Sequence, residues 1–217
     1  MSVPMSQVLT TARTYLNDDA AVQFPDPVII PKIQEAHREL QEELWVVGSP
    51  LVRSQVMLAY TTPQLTIAAS TPPTNTPGLL PLDFLCPTAM FENAAGSLIS
   101  ASGWTPMTEA FYIPLGTSMA ATLGWWAWQQ EQLILAGATQ SRAVVMQYRR
   151  LITIPVLAVD PIGILFGESY LAARAAAMVA GTVGNKDILD TATALAKENL
   201  GKVVSANRGQ QKPLIKP

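Results

Sequence analysis

His37 is the only histidine and Cys86 the only cysteine among 217 residues, so general-base and thiolate chemistry have one candidate each. An imidazole can activate a serine or cysteine nucleophile, and any Ser–His–Asp or Cys–His site would have to use His37. No Gly-x-Ser-x-Gly elbow is present to display such a serine. His37 sits between Ala36 and Arg38, one step from an apolar helical stripe, and reads more simply as a boundary position. Glu35, Glu39, Glu42 and Glu43 recur at helical spacing and offer carboxylates for paired acid–base work. With Lys32 and Arg38 among them, they read more simply as a solvated or interface face laced by i,i+4 pairs. The run Gly181-Thr182-Val183-Gly184-Asn185-Lys186 has the residue types of a phosphate loop. It lacks that loop's four-residue spacing and the Ser/Thr after the lysine, and a helix–helix turn explains it. A single cysteine builds neither an intramolecular disulfide nor a thiolate zinc cluster. The expectation is a non-enzymatic chain with no cofactor and no metal site.

The most unusual local feature is Trp125-Trp126-Ala127-Trp128. On a strand, Trp126 and Trp128 share one face and Trp125 takes the other. The paired face belongs against a core. Trp125 is then placed to stack on a sugar, a base or a partner subunit. Arg149-Arg150 can meet phosphate, and partner carboxylates explain the pair equally well.

The elements that must position these residues read as helices, a strand-rich middle, and helices again. Ser6 can cap a first helix carrying Val8, Leu9, Ala12, Tyr15 and Leu16. Asp26-Pro27 opens a second helix, with Ile29, Ile33, Ala36, Leu40, Leu44 and Val47 as its apolar stripe. Pro31 either marks the true start or bends that helix. Gly48-Ser49-Pro50 stops it. Strands are expected over 52–60, 64–68, 80–84, 108–113, 125–129, 132–136 and 143–150. They are punctuated by a Pro/Thr loop at 71–77 and a turn at 129–131, and suggest a small antiparallel sheet or barrel. Asp160-Pro161 repeats the cap-then-proline signal and predicts a third, alanine-rich helix that ends at Gly181 and Gly184. A last helix runs from 187 to about 206, and residues 207–217 form an extended arm whose apolar anchors are Leu214 and Ile215.

Apolar residues make up 49% of the chain, an ordinary share, but charged residues only 14%, against about 25% in soluble domains. Disorder is excluded, since it needs low hydrophobicity and high charge. A net charge of −2 argues against a dedicated nucleic-acid binder. The charge deficit implies that something other than water covers part of the surface. The charges are also uneven: residues 1–48 carry net −4, residues 49–185 net −1 and residues 186–217 net +3, an acidic head and a basic arm. The start of the sequence shows no basic-then-apolar signal peptide, and no run reaches the roughly 20 apolar residues of a membrane span. A soluble chain is expected.

The order of elements, together with VLTTARTYLND at 8–18, Phe24 and Asp26 at the second helix entry, IQEAHREL at 33–40, LPLDF at 80–84, WAWQ and LIL at 126–135, and YRR at 148–150, resembles head-to-tail adaptor (connector) proteins of tailed bacteriophages. The interrupting Pro31 and the alanine-rich third helix depart from that pattern. The resemblance implies an α+β fold: a four-helix bundle from 1–49 and 151–206, a β-rich insertion at 50–150 between helices two and three, and an arm at 207–217. It implies a dodecameric ring of copies under the portal protein, made in the host cytoplasm and carried in the virion neck. Such a ring extends the DNA channel without reading sequence and receives tail or nozzle proteins. By position, Lys202, Arg208, Lys212, Leu214, Ile215 and Lys216 would dock on the portal. Trp125, Trp104, Arg149 and Arg150 would face a neighbour or the tail. The contrasting expectation is a carbohydrate- or nucleic-acid-binding β module that uses Trp125.

Overall fold

The computed structural model describes residues 3–59, 65–68, 80–111, 113, 120–129, 132–135 and 138–207. Among them the chain divides into two compact units, residues 3–52 with 151–207, and residues 53–150. The expected turn residues 130 and 131, the 71–77 loop and the arm from 208 onward lie outside the described residues.

The first unit holds four helices: α1 (Met5–Tyr15), α2 (Asp26–Val46), α3 (Glu168–Val183) and α4 (Lys186–Asn207). They do not form the expected four-helix bundle carrying an insertion between its second and third helices. Helix α3 is the hub on which α1, α2 and α4 each pack, while α1 and α4 do not pack together and α4 meets α2 only at its margin. Composition explains this. Ala172, Ala173, Ala175, Ala176, Ala177 and Ala180 are all buried, so α3 carries little side-chain bulk and admits helices on several sides. Helix α4 contributes small or isolated buried groups, Ala192, Ala196, Val203 and Asn207. The core is completed by Met5, Val8, Ile29, Ile33, Leu40 and Leu44, the stripes expected of α1 and α2.

Helix α2 starts at Asp26 and runs straight through Pro31, which is exposed one turn in. A proline there forgoes one backbone hydrogen bond near the helix start, where the clash is least costly. Ser6 is not a cap: Pro4 holds that position without a side-chain bond. The orphan amides of Met5 and Ser6 instead donate to the carbonyls of Asp160 (2.9 Å) and Ala158 (2.8 Å). The third helix corrects the expectation most plainly, because it begins at Glu168 and not at Asp160. The Asp160 carboxylate reaches backward to the amides of Val156 (2.9 Å) and Leu157 (2.8 Å), closing a turn. Left-handed backbone at Gly163 and Phe166 then forbids helical continuation.

The second unit is not a small appendage. Eight strands among its described residues make two four-stranded sheets. They are β1 (Arg53–Ala59), β2 (Leu65–Ala68), β3 (Phe84–Ala94), β4 (Thr105–Pro106), β5 (Thr108–Glu109), β6 (Trp125–Gln129), β7 (Gln132–Leu135) and β8 (Arg142–Arg150). One sheet has the order β1-β8-β3-β4 and the other β2-β7-β6-β5. Leu58, Met90, Val144, Met146 and Tyr148 from the first sheet share an apolar cluster with Trp126, Leu133 and Leu135 from the second. Strand β8 is central and buried on both faces, since Ala143 and Val145 pack outward against Trp104. The expected strand at 80–84 is in fact the approach to β3, which runs on through Pro87 with bulges at 84–86 and 87–89. The expected strand at 108–113 shrinks to the two residues of β5.

Candidate interaction surface

Three polar side chains of α2, Gln34, His37 and Gln41, lie at i, i+3 and i+7 beside its apolar stripe and read the backbone of the segment at 151–166. Gln34 donates to the Pro155 carbonyl (3.0 Å). Gln41 donates through Nε2 to the Ile152 carbonyl (2.9 Å) and accepts from the Ile152 amide through Oε1 (2.9 Å). Its second amide proton goes to His37 Nδ1 (3.0 Å), which fixes His37 as the tautomer donating from Nε2 to the Ile162 carbonyl (2.8 Å). His37 is wholly buried, and that burial holds its pKa below the usual imidazole value. It is a neutral positioning group with no nucleophile beside it. Together with the amides of Met5, Ser6 and Ile162 on Asp160, Ala158 and Val3, these bonds clamp sixteen residues that have neither helix nor strand.

The clamped segment turns apolar side chains outward. Val156, Leu157 and Val159 are 64%, 62% and 78% exposed, and Leu165 and Phe166 are about half exposed. The turn that displays the first three is closed by Asp160, whose pKa the Leu157 and Val156 amides lower. A similar device closes the loop after α1. Asp18 accepts from the amides of Val22 (2.9 Å), Gln23 (3.0 Å) and Phe24 (2.7 Å). Those bonds, led by Gln23, lower its pKa, and Val22 is left exposed. Arg13 ties the loop further, reaching the Phe24 carbonyl (2.8 Å) and the Asp26 carboxylate.

The remaining charged clusters are structural. Buried Glu92 accepts from the Leu123 (3.0 Å) and Gly124 (3.1 Å) amides and from Arg142 Nε (3.0 Å), joining β3, the entry to β6, and β8. Of the helical carboxylates, Glu39 is held by a two-pronged contact from Arg174 (2.7 and 3.0 Å). Glu35 pairs with Lys32 (2.8 Å). Burial beside Glu39 pushes the Tyr170 hydroxyl up to about 12. Gly184 is the left-handed cap of α3, so the loop at 181–186 is a helix–helix turn. Among the described residues no group of three or more His, Cys, Asp or Glu is placed to hold a metal ion, and no helix is long and apolar enough to cross a membrane.

The residues singled out from sequence scatter. Trp126 is buried and Trp128 packs on the same cluster in a tilted ring contact with Phe84 (centroids 5.2 Å apart), while Trp125 is 54% exposed on the other face. Trp104 is 2% exposed, packed against Ala143 and Val145, and has no surface left for a partner. Arg150 faces Asp83 of its own chain at 3.6 Å, and β1 pairing puts Arg53 opposite Arg149. Lys202 is exposed and pairs with Glu198 (2.6 Å). Arg208, Lys212, Leu214, Ile215 and Lys216 lie outside the described residues. Sequence reasoning missed the Gln34–His37–Gln41 ladder, whose signal was three amide or imidazole groups in helical phase. It also missed the segment that the ladder holds. No protein-family model and no curated protein matches the chain.

Proposed function

We propose that the protein is a non-enzymatic structural adaptor: a ring-forming virion component that joins portal to tail and continues the DNA channel. The observation that carries this reading is the segment at 151–166, held by backbone hydrogen bonds at the start of α1 and by side-chain bonds from α2 while it exposes six large apolar side chains, Leu151 among them. Ordering such a segment in advance removes the entropy cost of docking it. Several large apolar side chains exposed on one ordered segment favour protein contact. Each of those side chains is worth about 1.5–3 kcal/mol when fully buried. The low charge of the chain, the structural use of its titratable clusters and its resemblance to phage connectors point the same way. In a ring, each subunit presents two different patches to its neighbours. Mass photometry of the purified protein, alone and mixed with the cognate portal protein, tests it. Ring-sized assemblies on the portal are expected, and a chain that stays monomeric in the presence of portal overturns the reading.

Half-exposed Trp125 favours a second reading, a β module that stacks on sugars or bases. In that case Trp125→Ala abolishes binding in a glycan or oligonucleotide screen and leaves oligomerisation untouched. On the adaptor reading the same screen is blank for the wild-type chain.

A further inference from the structure

The Gln41 side-chain amide joins the one histidine of the chain to the segment at 151–166. The Ile152 amide donates to Gln41 Oε1 and the Ile152 carbonyl accepts from Gln41 Nε2, both at 2.9 Å. Those two bonds fix which way the Gln41 amide faces. The edge it turns to His37 Nδ1 (3.0 Å) is therefore an N–H, which only donates. Nδ1 must be bare to accept it. The other end of the ladder is insensitive to that proton: His37 Nε2 donates to the Ile162 carbonyl (2.8 Å) in the neutral ring and in the cation alike. The Ile162 amide is held separately, by the Val3 carbonyl (3.0 Å).

A proton arriving on Nδ1 sets a donor against a donor. The oxygen in reach is Gln41 Oε1, and turning it to the ring takes it from the Ile152 amide and brings Nε2 against that amide instead. No carboxylate makes an ion pair with the imidazole to accept the charge. On α2 itself Arg38 is the charged neighbour, of the same sign as the imidazolium. Glu39 of α2 is held by Arg174 of α3, and Arg13 of α1 by Asp18 and Asp26. Asp160 of the segment is turned to the Val156 and Leu157 amides. Glu168 Oε2 of α3 is buried without a hydrogen-bond partner.

We infer that His37 and Gln41 form an acid-operated release for the entry to this segment: a proton on His37 Nδ1 breaks both Gln41 bonds to Ile152 and leaves the Ile162 end held. The freed stretch lies between the end of β8 and Pro155, whose carbonyl Gln34 still holds. It contains Leu151, one of the exposed apolar side chains. A loosened segment must be ordered again before it docks, so acid weakens docking. Burial lowers the His37 pKa, which places the release below the ordinary imidazole range. The effect on docking rests on the adaptor reading, whereas the release itself needs no partner.

Amide exchange and ring chemical shifts of the full chain, followed by NMR from about pH 7.5 to 5, test the release. One histidine makes the ring signal unambiguous. As His37 takes up its proton, protection of the Ile152 amide, corrected for intrinsic exchange, is expected to fall by up to about tenfold per pH unit, the limit for one proton. The Ile162 amide is expected to hold its protection. In His37→Gln the Ile152 protection is expected to be independent of pH. A ring that titrates with Ile152 still protected, a loss shared equally by Ile162 and the helices, a ring that stays neutral until the whole unit unfolds, or the same loss in His37→Gln each overturns the inference. Mass photometry with the cognate portal protein at the two ends of that range tests the consequence. Several-fold fewer assemblies are expected at the acid end for the wild type and no change for His37→Gln. Assembly indifferent to pH while Ile152 is released overturns the link to docking. A chain that never assembles overturns the adaptor reading and leaves the release standing.

Discussion

His37 is neutral because both of its ring nitrogens are already committed, one donating to Ile162 and one accepting from Gln41. A second proton would sit on Nδ1 and point at the Gln41 amide protons inside an apolar core. The folded protein therefore binds that proton more weakly than the unfolded chain, whose imidazole titrates near 6.5. Where the unfolded state holds more protons, stability rises with pH. Stability measured by urea unfolding is thus expected to be complete above about pH 6.5 and to fall as pH drops from there toward the lowered folded-state value. The hydrogen-bonded carboxylates Asp18 and Asp160, whose pKa values are lowered, lose their contribution only at more acidic pH. A His37→Gln variant should flatten the profile between about pH 5 and 7, and an unchanged slope would refute this account. A second residue-scale prediction concerns Glu92, which is 2% exposed and accepts three donors. Glu92→Ala strands the Arg142 charge and two amides, an expected cost of about 3–5 kcal/mol. Exposed Glu109→Ala is expected to stay within about 0.5 kcal/mol in the same unfolding assay.

Two glycines separate strain from contact at the scale of the element. Gly163 and Gly184 both have left-handed backbone, φ +67° and +72°. A Cβ on Gly184 meets nothing within 4 Å, whereas one on Gly163 lands 2.8 Å from Ile152 Cγ2. Gly184→Ala is expected to cost about 1 kcal/mol from backbone strain alone. Gly163→Ala adds a clash inside the segment that Gln41 and His37 hold, and is expected to cost about 1–3 kcal/mol more. Thermal melts of both variants check the order. These same positions show what was legible in the sequence. Apolar periodicity located α2 and α4 to within a residue or two and α1 more loosely, its end expected near 17–19 and found at Tyr15. Asp160-Pro161 carries the same letters as Asp26-Pro27 yet starts no helix, since the Asp160 carboxylate bonds backward to Val156 and Leu157. Nothing local announces that direction. The strand β3 was hidden by Pro87 and its bulges, which break the two-residue period. Tryptophan alternation was legible on β6, but the burial of Trp104 depends on β8 from elsewhere in the chain. The clamped surface was illegible because its apolar residues carry no period, and only tertiary bonds make it a surface.

For the whole molecule, the low charge content first implied covered surface without saying where. The segment at 151–166 is the part of that surface proposed to be covered: Ile152, Ile162 and Ile164 anchor it in the core, while its exposed apolar side chains add little to the fold. Leu157, 62% exposed, and Phe166, 57% exposed, are the natural probes. Replacing either with Asp removes no core contact, so unfolding midpoints are expected to shift by about 0.5 kcal/mol or less. If these side chains enter an interface, the same change buries an unpaired carboxylate there and costs several kcal/mol of association. Assembly on the portal, read by mass photometry, is then expected to be lost for Leu157→Asp and Phe166→Asp while the melting curves stay put. Phe166 has a further constraint: its backbone is left-handed, φ +57°, so Phe166→Gly is expected to relax the backbone and weaken assembly without destabilising the fold. An Asp variant that assembles like the wild type would remove this segment from the interface. One that assembles poorly only because it unfolds would show that the segment belongs to the core. Only the remaining result, in which folding and assembly come apart, places the segment in the interface.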